Sequence, residues 1–256
     1  MLLLWRKLKN RVNLHLHSTI DIAMFRFKHF TIDDQNSAMK VGTDGVILGA
    51  WAAMPSNVGA LLDIGCGSGI LSLIMAQRSN GKLNIDAIDI DEGAVIDSKN
   101  NFASSQWDKS LNAICGNFVS FSKDCDKSYD MVISNPPFFM EETLSPDSKR
   151  ASARNTSSLN FNSLFEGVKE IMTPQGLFSM ITPADTYSFL AQTALMQGFY
   201  LRRLTWVVTI EGTEPKRVLT EWGRKQTQYT IDTLVVTTQD GFYTPQYREL
   251  TKEFYL

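Results

Sequence analysis

Two short runs hold side chains whose types and spacing fit one reaction. The first is Asn135-Pro136-Pro137-Phe138. The exocyclic amine of adenine, like the amide of glutamine, has its lone pair delocalised into a planar system and is a poor nucleophile. If the Asn135 side-chain oxygen and the Pro136 carbonyl each accept one N–H, the nitrogen leans toward pyramidal, its lone pair faces an electrophile, and proton loss is eased as positive charge develops. Consecutive prolines stiffen the turn and fix the carbonyl direction, and the Phe138 ring can stack on a flat target. The second run is Asp63-Ile64-Gly65-Cys66-Gly67-Ser68-Gly69. Its alternate glycines let the backbone turn tightly and approach a ligand, and a following helix supplies unpaired amide donors. A dinucleotide fingerprint wants its third glycine three residues after the second, and that position is Ile70. The G-x-G-x-G form with an acid two residues ahead suits S-adenosylmethionine (SAM), whose methionine part needs backbone donors and a nearby carboxylate.

Asp89 follows Gly69 by twenty residues, where a doubly wound sheet brings its second strand beside the first. Its carboxylate can accept from both ribose hydroxyls, and such charge-assisted bonds are about twice as strong as neutral ones. Asp91 is a competing candidate and Asp86 a weaker one. Ile90 is expected to lie against the adenine. Asn117-Phe118 either reach the adenine amine and face or form an ordinary turn after Gly116.

The elements that must hold these groups alternate regularly. Strands are expected at 60–64, 84–89, 111–115, 129–134 and 176–182, with helices after Gly69, over 92–102, over 161–172 and over 185–196. This alternation indicates α/β architecture, a parallel sheet covered by helices on both faces. Two further strands, 201–210 and 229–238, are expected to be joined by the basic connection 214–225, giving a seven-stranded mixed sheet. The polar stretch 141–160 reads as a mobile loop beside the Asn-Pro-Pro-Phe turn.

The 256 residues carry 25 Lys+Arg against 27 Asp+Glu, a net charge of -2. Bulk charge therefore does not hold nucleic acid here, and any such partner must be met by local basic patches. Three cysteines without a CxxC pair support neither a disulfide framework nor a zinc site, and His15, His17 and His29 form no ligand set, so no metal is expected. With no apolar run near the roughly 20 residues that span a bilayer, the sequence points to a cytoplasmic protein with no membrane partner. Residues 1–30 hold six Lys/Arg against one acid, Asp21. Residues 1–23 read as a basic extension, either disordered or lying upstream of a true start at Met24, or else a phosphate-contacting arm; 24–256 read as one domain with a small N-terminal elaboration.

With these motifs the chain resembles the class I SAM-dependent methyltransferases, and more closely the bacterial tRNA1(Val) (adenine-N6)-methyltransferases, which modify the adenine beside the anticodon. The resemblance covers about residues 24–256. It also rests on Phe25-Arg26-Phe27-Lys28-His29-Phe30, on the run from Met39 to Trp51, on Glu214-Pro215-Lys216-Arg217-Val218-Leu219, and on the closing run from Tyr243 to Leu256. It implies a doubly wound Rossmann-like fold and SAM as cofactor. It places Lys40, Val41, Thr43 and Asp44 in a segment packed over SAM, Asp63, Gly65, Gly67, Asp89, Asn117 and Asn135 in its pocket, and Asn135 to Phe138 at the target adenine. Many relatives have Tyr where this chain has Phe138, which keeps stacking but loses a hydroxyl.

For RNA, the candidate phosphate contacts are Lys149, Arg150 and Arg154 beside the catalytic turn, Arg202 with Arg203, and Lys216 with Arg217. An unpaired anticodon-loop base lowers the cost of taking the adenine out of its stack. The expected activity is thus methyl transfer from SAM to N6 of an adenine in the tRNA anticodon loop, by a monomer. Rival readings are a protein-glutamine N5-methyltransferase, an adenine methyltransferase acting on ribosomal RNA or DNA, and a SAM-binding RNA scaffold without turnover.

Overall fold

Strand and helix follow one another because the apolar runs are short and separated by turn residues. A computed structural model describes residues 24–54, 59–136 and 159–256. A small hairpin pairs β1 (Phe25–Arg26) with β2 (Thr31–Ile32). Then come α1 (Thr43–Trp51), β3 (Ala60–Ile64), α2 (Ile70–Ser79), β4 (Asn84–Asp89), α3 (Glu92–Ala103), β5 (Leu111–Cys115), α4 (Phe118–Asp124) and β6 (Tyr129–Ser134). After the second gap in the description follow α5 (Phe161–Ile171), β7 (Met172–Pro183), α6 (Tyr187–Met196), β8 (Tyr200–Ile210), β9 (Arg217–Gly223), β10 (Thr230–Thr237) and α7 (Pro245–Thr251). Residues 1–23, the expected mobile loop up to residue 158, and the candidates Pro137, Phe138, Lys149, Arg150 and Arg154 lie outside the described residues.

The large sheet has the order β10-β8-β9-β7-β6-β3-β4-β5. All its strands run parallel except β9, which is antiparallel to both β7 and β8. The doubly wound architecture is as expected, but the sheet has eight strands, not seven. The connection expected over 214–225 contains β9, which inserts between β7 and β8. Glu221 hid it, because a charged residue inside Val218-Leu219-Thr220-Glu221-Trp222 breaks the apolar run. That carboxylate is buried and satisfied, accepting from Ala53 N–H and Ser179 Oγ at 3.1 Å each.

Each face of the sheet carries its own core. Leu61, Ile85, Met131, Ile133 and Ile181 pack with α1, α2 and Tyr247 of α7 on one side. Leu62, Val132, Phe178 and Met180 pack with Phe118, Leu164, Phe165 and Leu190 on the other. Successive strand residues alternate between the two, as a sheet covered on both sides requires. The segment between β2 and α1 is fastened by polar bonds. Asp97 of α3, almost fully buried, accepts from the Asn36 and Ser37 amides, Asn36 Nδ2 and Ser37 Oγ at 2.7–2.9 Å. Asn101 donates to Asp33 C=O at 2.7 Å and to Ser68 C=O at 2.9 Å, tying this strap to the glycine loop.

Candidate active site

The glycine loop leaves the carboxyl end of β3. Gly65, Gly67 and Gly69 have φ of +69°, +55° and +85°, a left-handed conformation that side chains with a Cβ rarely adopt. At Gly65 and Gly67 a Cβ would meet nothing within 4 Å, whereas at Gly69 it would lie 2.4 Å from Phe102 Cε1. The first two glycines thus open a concavity, and the third lets α2 pack against α3. The Gly65 and Cys66 amides both donate to Ile88 C=O of β4, at 2.8 and 3.1 Å. Cys66, within the loop, is buried, and burial pushes its thiol well above the usual range, consistent with packing and not with a nucleophile.

Asp63 lies beneath this loop, fully buried. Its Oδ2 accepts from Ser72 Oγ at 2.7 Å and from the Ser72 amide at 3.2 Å. Its Oδ1 has no hydrogen-bond partner among the described residues. Burial raises this carboxyl to about 7 against the opposing pull of the Ser72 bonds.

Among the three acids of the second strand region, the structure discriminates. Asp89 ends β4 and accepts the Gly67 amide at 2.8 Å and the Asp91 amide at 3.0 Å. Asp91 caps α3 by accepting from the Gly93 amide at 3.0 Å. Asp86 is held by Lys127, Tyr129 and Asn112 at 2.6–2.9 Å, and these bonds lower its carboxyl despite partial burial. Ile90, directly after Asp89, is half exposed, as a residue offered to a flat ligand would be.

Ser134 of β6 sits opposite Ile64 of β3 and donates its hydroxyl to the Ile64 carbonyl at 2.8 Å. Asn135 is the next residue, so it stands beside the start of the glycine loop at the carboxyl edge. Its Oδ1 is also buried without a partner among the described residues. Two adjacent strands therefore each end on a buried, unused acceptor oxygen. Since buried polar atoms are nearly always satisfied, such a pair marks a place where a donor is to be bound.

Several expected roles shift. Phe118 does not offer its ring to a ligand: it is buried in the core against α5, where its Cε1 would lie 2.6 Å from a Cβ at Gly167. The Asn117 Oδ1 caps α4 by accepting from the Val119 and Ser120 amides at 2.9 and 3.2 Å, which leaves its Nδ2 to face outward. Lys40 turns back onto the strap, donating to the carbonyls of Asp34, Gln35 and Ser37, because three carbonyls there converge on one point. The Val41 amide donates to Asp34 Oδ2 at 2.8 Å. Thr43 opens α1, and Asp44 beside it accepts from Arg217 Nε at 2.8 Å. A residue expected at the cofactor and one expected at RNA are thus ion-paired.

Arg202 and Arg203 lie on β8, three strands away from β6 and the Asn135 turn. Arg203 is level with Glu221, Ser179 and Ile133 across the strands. Its guanidinium lies 4.3 Å from the Trp51 ring centroid, donates to Trp51 C=O at 3.2 Å and sits 4.0 Å from Asp232. Arg202, next to it, packs its stem toward Gly223. Lys216 and Arg217 remain at the edge, where Arg217 faces Pro183 and Val207. Sequence reasoning missed the strap residues Asp97 and Asn101; the run Asp33-Asp34-Gln35-Asn36-Ser37, rich in turn formers, was the available signal. Among the described residues no group of three His, Cys, Asp or Glu could hold a metal ion, and no helix is long and apolar enough to cross a membrane.

This architecture is that of the class I methyltransferases. A predicted O-methyltransferase from Agrobacterium tumefaciens superposes with a TM-score of 0.64 at 13% identity, covering 82% of this chain and 96% of that one. The glycopeptide N-methyltransferase MtfA complexed with SAM gives 0.53 at 14% identity, covering 74% and 96%. Residues 48–155 match the methyltransferase small domain family. The tRNA1(Val) (adenine(37)-N6)-methyltransferase of Phocaeicola vulgatus is 39% identical over 232 residues, 91% of this chain and 97% of its own length. Those of Bacteroides fragilis and Erwinia tasmaniensis are 36% and 35% identical over 91% of this chain and 97% and 94% of theirs. The chain belongs to the tRNA1(Val) (adenine(37)-N6)-methyltransferase family.

Proposed function

We propose that this enzyme transfers the methyl group of SAM to N6 of adenine 37 in the anticodon loop of a tRNA1(Val)-type substrate, acting as a cytoplasmic monomer whose working unit is residues 24–256. The observation that carries the reading is the unpartnered, buried Asn135 Oδ1 one residue beyond Ser134, at the carboxyl edge where ligands gather in open α/β sheets.

The residues present fit SAM. Asp63 Oδ1 is an orphaned acceptor suited to an ammonium group, and the turn at Gly65 and Gly67 leaves open the space that a Cβ would take. Asp63, Gly65, Gly67 and Gly69 would hold the methionine part, Asp89 the ribose, and Ile90 with the Asn117 amide the adenine. The strap with Lys40 and Val41, and the first turn of α1 with Thr43 and Asp44, would cover them. When bound, SAM supplies an electrophilic methyl on a sulfonium.

The protein's own work is positioning and charge stabilisation. Asn135 Oδ1 accepts one N–H of the target amine and the Pro136 carbonyl accepts the other, turning the nitrogen lone pair toward the methyl. As the nitrogen becomes positive, both acceptors strengthen and ease departure of its proton. Phe138 stacks on the base, an interaction worth about 1–3 kcal/mol, and Lys216 with Arg217 at the same edge meets phosphate. Lys149, Arg150 and Arg154 are further phosphate contacts in this reading.

The experiment is methyl transfer from labelled SAM to tRNA lacking the modification, followed by nucleoside analysis. N6-methyladenosine at position 37 is expected. Incorporation into a protein glutamine, or into ribosomal RNA but not tRNA, would overturn the substrate assignment.

A further inference from the structure

Away from the catalytic edge, the two ends of the described chain meet in an open cleft of about 540 Å³, lined by Arg26, Tyr243, Arg248, Thr251, Lys252 and Tyr255 together with Leu256. Arg26 comes from β1 and the others from α7 and its flanks, so the cleft exists only because the Lys28 amide donates to Phe254 C=O at 2.9 Å and Phe27 stacks on Tyr255 at 5.9 Å. It shares no residue with the glycine loop or the Asn135 turn. Three of its side chains are cationic, and no Asp or Glu side chain lines it. Lys252 is partly neutralised by Glu249 at 2.6 Å. Arg26 and Arg248 are exposed, and their guanidinium groups have no ion-pair or hydrogen-bond partner among the described residues. Tyr243 is 48% exposed.

Unpaired guanidinium groups beside the exposed Tyr243 ring are the combination that tracks a nucleic-acid strand, the cations taking phosphates and the ring a base or ribose face. The place of the cleft sets which part of the RNA it meets. Gln77, in the last turn of α2, donates to Glu253 C=O at 2.8 Å. Since α2 starts at Ile70 beside the glycine loop and Gln77 is its eighth residue, this contact beside the cleft lies about 10 Å down the helix from the loop. The reacting base cannot be there, but the paired stem continuing from its loop spans such a distance.

We propose that this cleft binds the phosphate backbone of the tRNA outside the anticodon loop, with Arg26 and Arg248 as its phosphate contacts. It rests on the reading that tRNA is the substrate, and it assigns a role to the closing run from Tyr243 to Leu256, which the catalytic reading leaves unused.

The test is tRNA affinity of the full chain by fluorescence anisotropy, comparing wild type with the Arg26→Gln/Arg248→Gln double variant across a salt series. Both side chains are exposed, so the variant is expected to keep its thermal midpoint and its SAM affinity. Its Kd for full-length tRNA should rise at least tenfold, with KM rising in parallel and kcat unchanged. The slope of log Kd against log salt should fall by about 1.4–1.8, the loss of two phosphate contacts. An isolated anticodon-loop oligonucleotide should bind both proteins equally. Unchanged tRNA affinity and salt slope in the double variant would overturn the proposal, as would an equal loss for the loop oligonucleotide. Failure of the substrate reading would appear separately, as wild-type protein that does not methylate tRNA.

Discussion

Asp89 Oδ2 accepts the Gly67 amide at 2.8 Å, so the acid assigned to the ribose also fixes the loop assigned to the methionine. One carboxylate closes the second strand and sets the turn that leaves the first. Asp89→Ala removes both of its backbone bonds and the ribose contact proposed for it. Charge-assisted bonds of this kind are worth about 1.5–3 kcal/mol each, so SAM affinity should fall tenfold or more by calorimetry. kcat at saturating SAM should stay near the wild-type value; wild-type SAM affinity in the variant would remove Asp89 from the pocket.

As the proposed partner of the SAM ammonium, Asp63 is expected to make cofactor affinity pH-dependent. Its carboxyl is raised to about 7 by burial, above the roughly 3.9 of an unfolded chain. The stability it contributes is therefore fully present below about pH 4 and lost as pH rises through 7, where the ionised form is buried. The ionised form is also the one an ammonium needs. SAM should bind about tenfold more weakly at pH 6 than at pH 8, and the SAM-free protein should lose thermal stability over the same rise in pH. Asp63→Asn should reverse both, with a higher melting temperature at pH 8 and weak, pH-independent SAM binding. A flat wild-type affinity between pH 6 and 8 would refute this.

Gly69 combines a φ of +85° with a 2.4 Å approach of any Cβ to the Phe102 ring. Gly69→Ala should cost about 2–4 kcal/mol in urea unfolding. Gly42, with φ -126° and only Lys40 O at 4.0 Å, is the control, and its alanine variant should fall within about 0.5 kcal/mol of wild type. Equal losses at the two positions would contradict the packing assigned to Gly69.

Arg203 and Lys216 should separate stability from RNA binding. Arg203→Ala removes the contact with Trp51 and a hydrogen bond to its carbonyl, and should cost about 1–2 kcal/mol of stability with tRNA affinity unchanged. Lys216→Ala, at an exposed position on the catalytic edge, should do the opposite, weakening tRNA binding severalfold without moving the unfolding midpoint. The reverse pattern would return Arg203 to the RNA surface.

The first four strands of the large sheet were legible because they are short runs separated by turn residues and helical segments: 60–64, 84–89, 111–115 and 129–134 all occur where expected. The glycine loop and Asn135 were legible because their chemistry depends on contiguous residues. The rest depends on contacts distant in sequence. The strand Arg217–Gly223 was hidden by Glu221, whose partners Ala53 and Ser179 are over 40 residues away in the chain. Arg203 looked like a phosphate contact because its stacking partner, Trp51, lies 152 residues earlier. Phe118 looked available because nothing local reveals that α5 covers it.

In the proposed mechanism Asn135 acts on the target amine and not on the cofactor. The direct measurement is N6-methyladenosine formation at position 37 of unmodified tRNA by wild type and Asn135→Ala, with SAM affinity measured on the same preparations. A fall in kcat of about 10²–10³ is expected, the loss of one transition-state hydrogen bond, with SAM affinity within about threefold. Methylation by Asn135→Ala at the wild-type rate would contradict it.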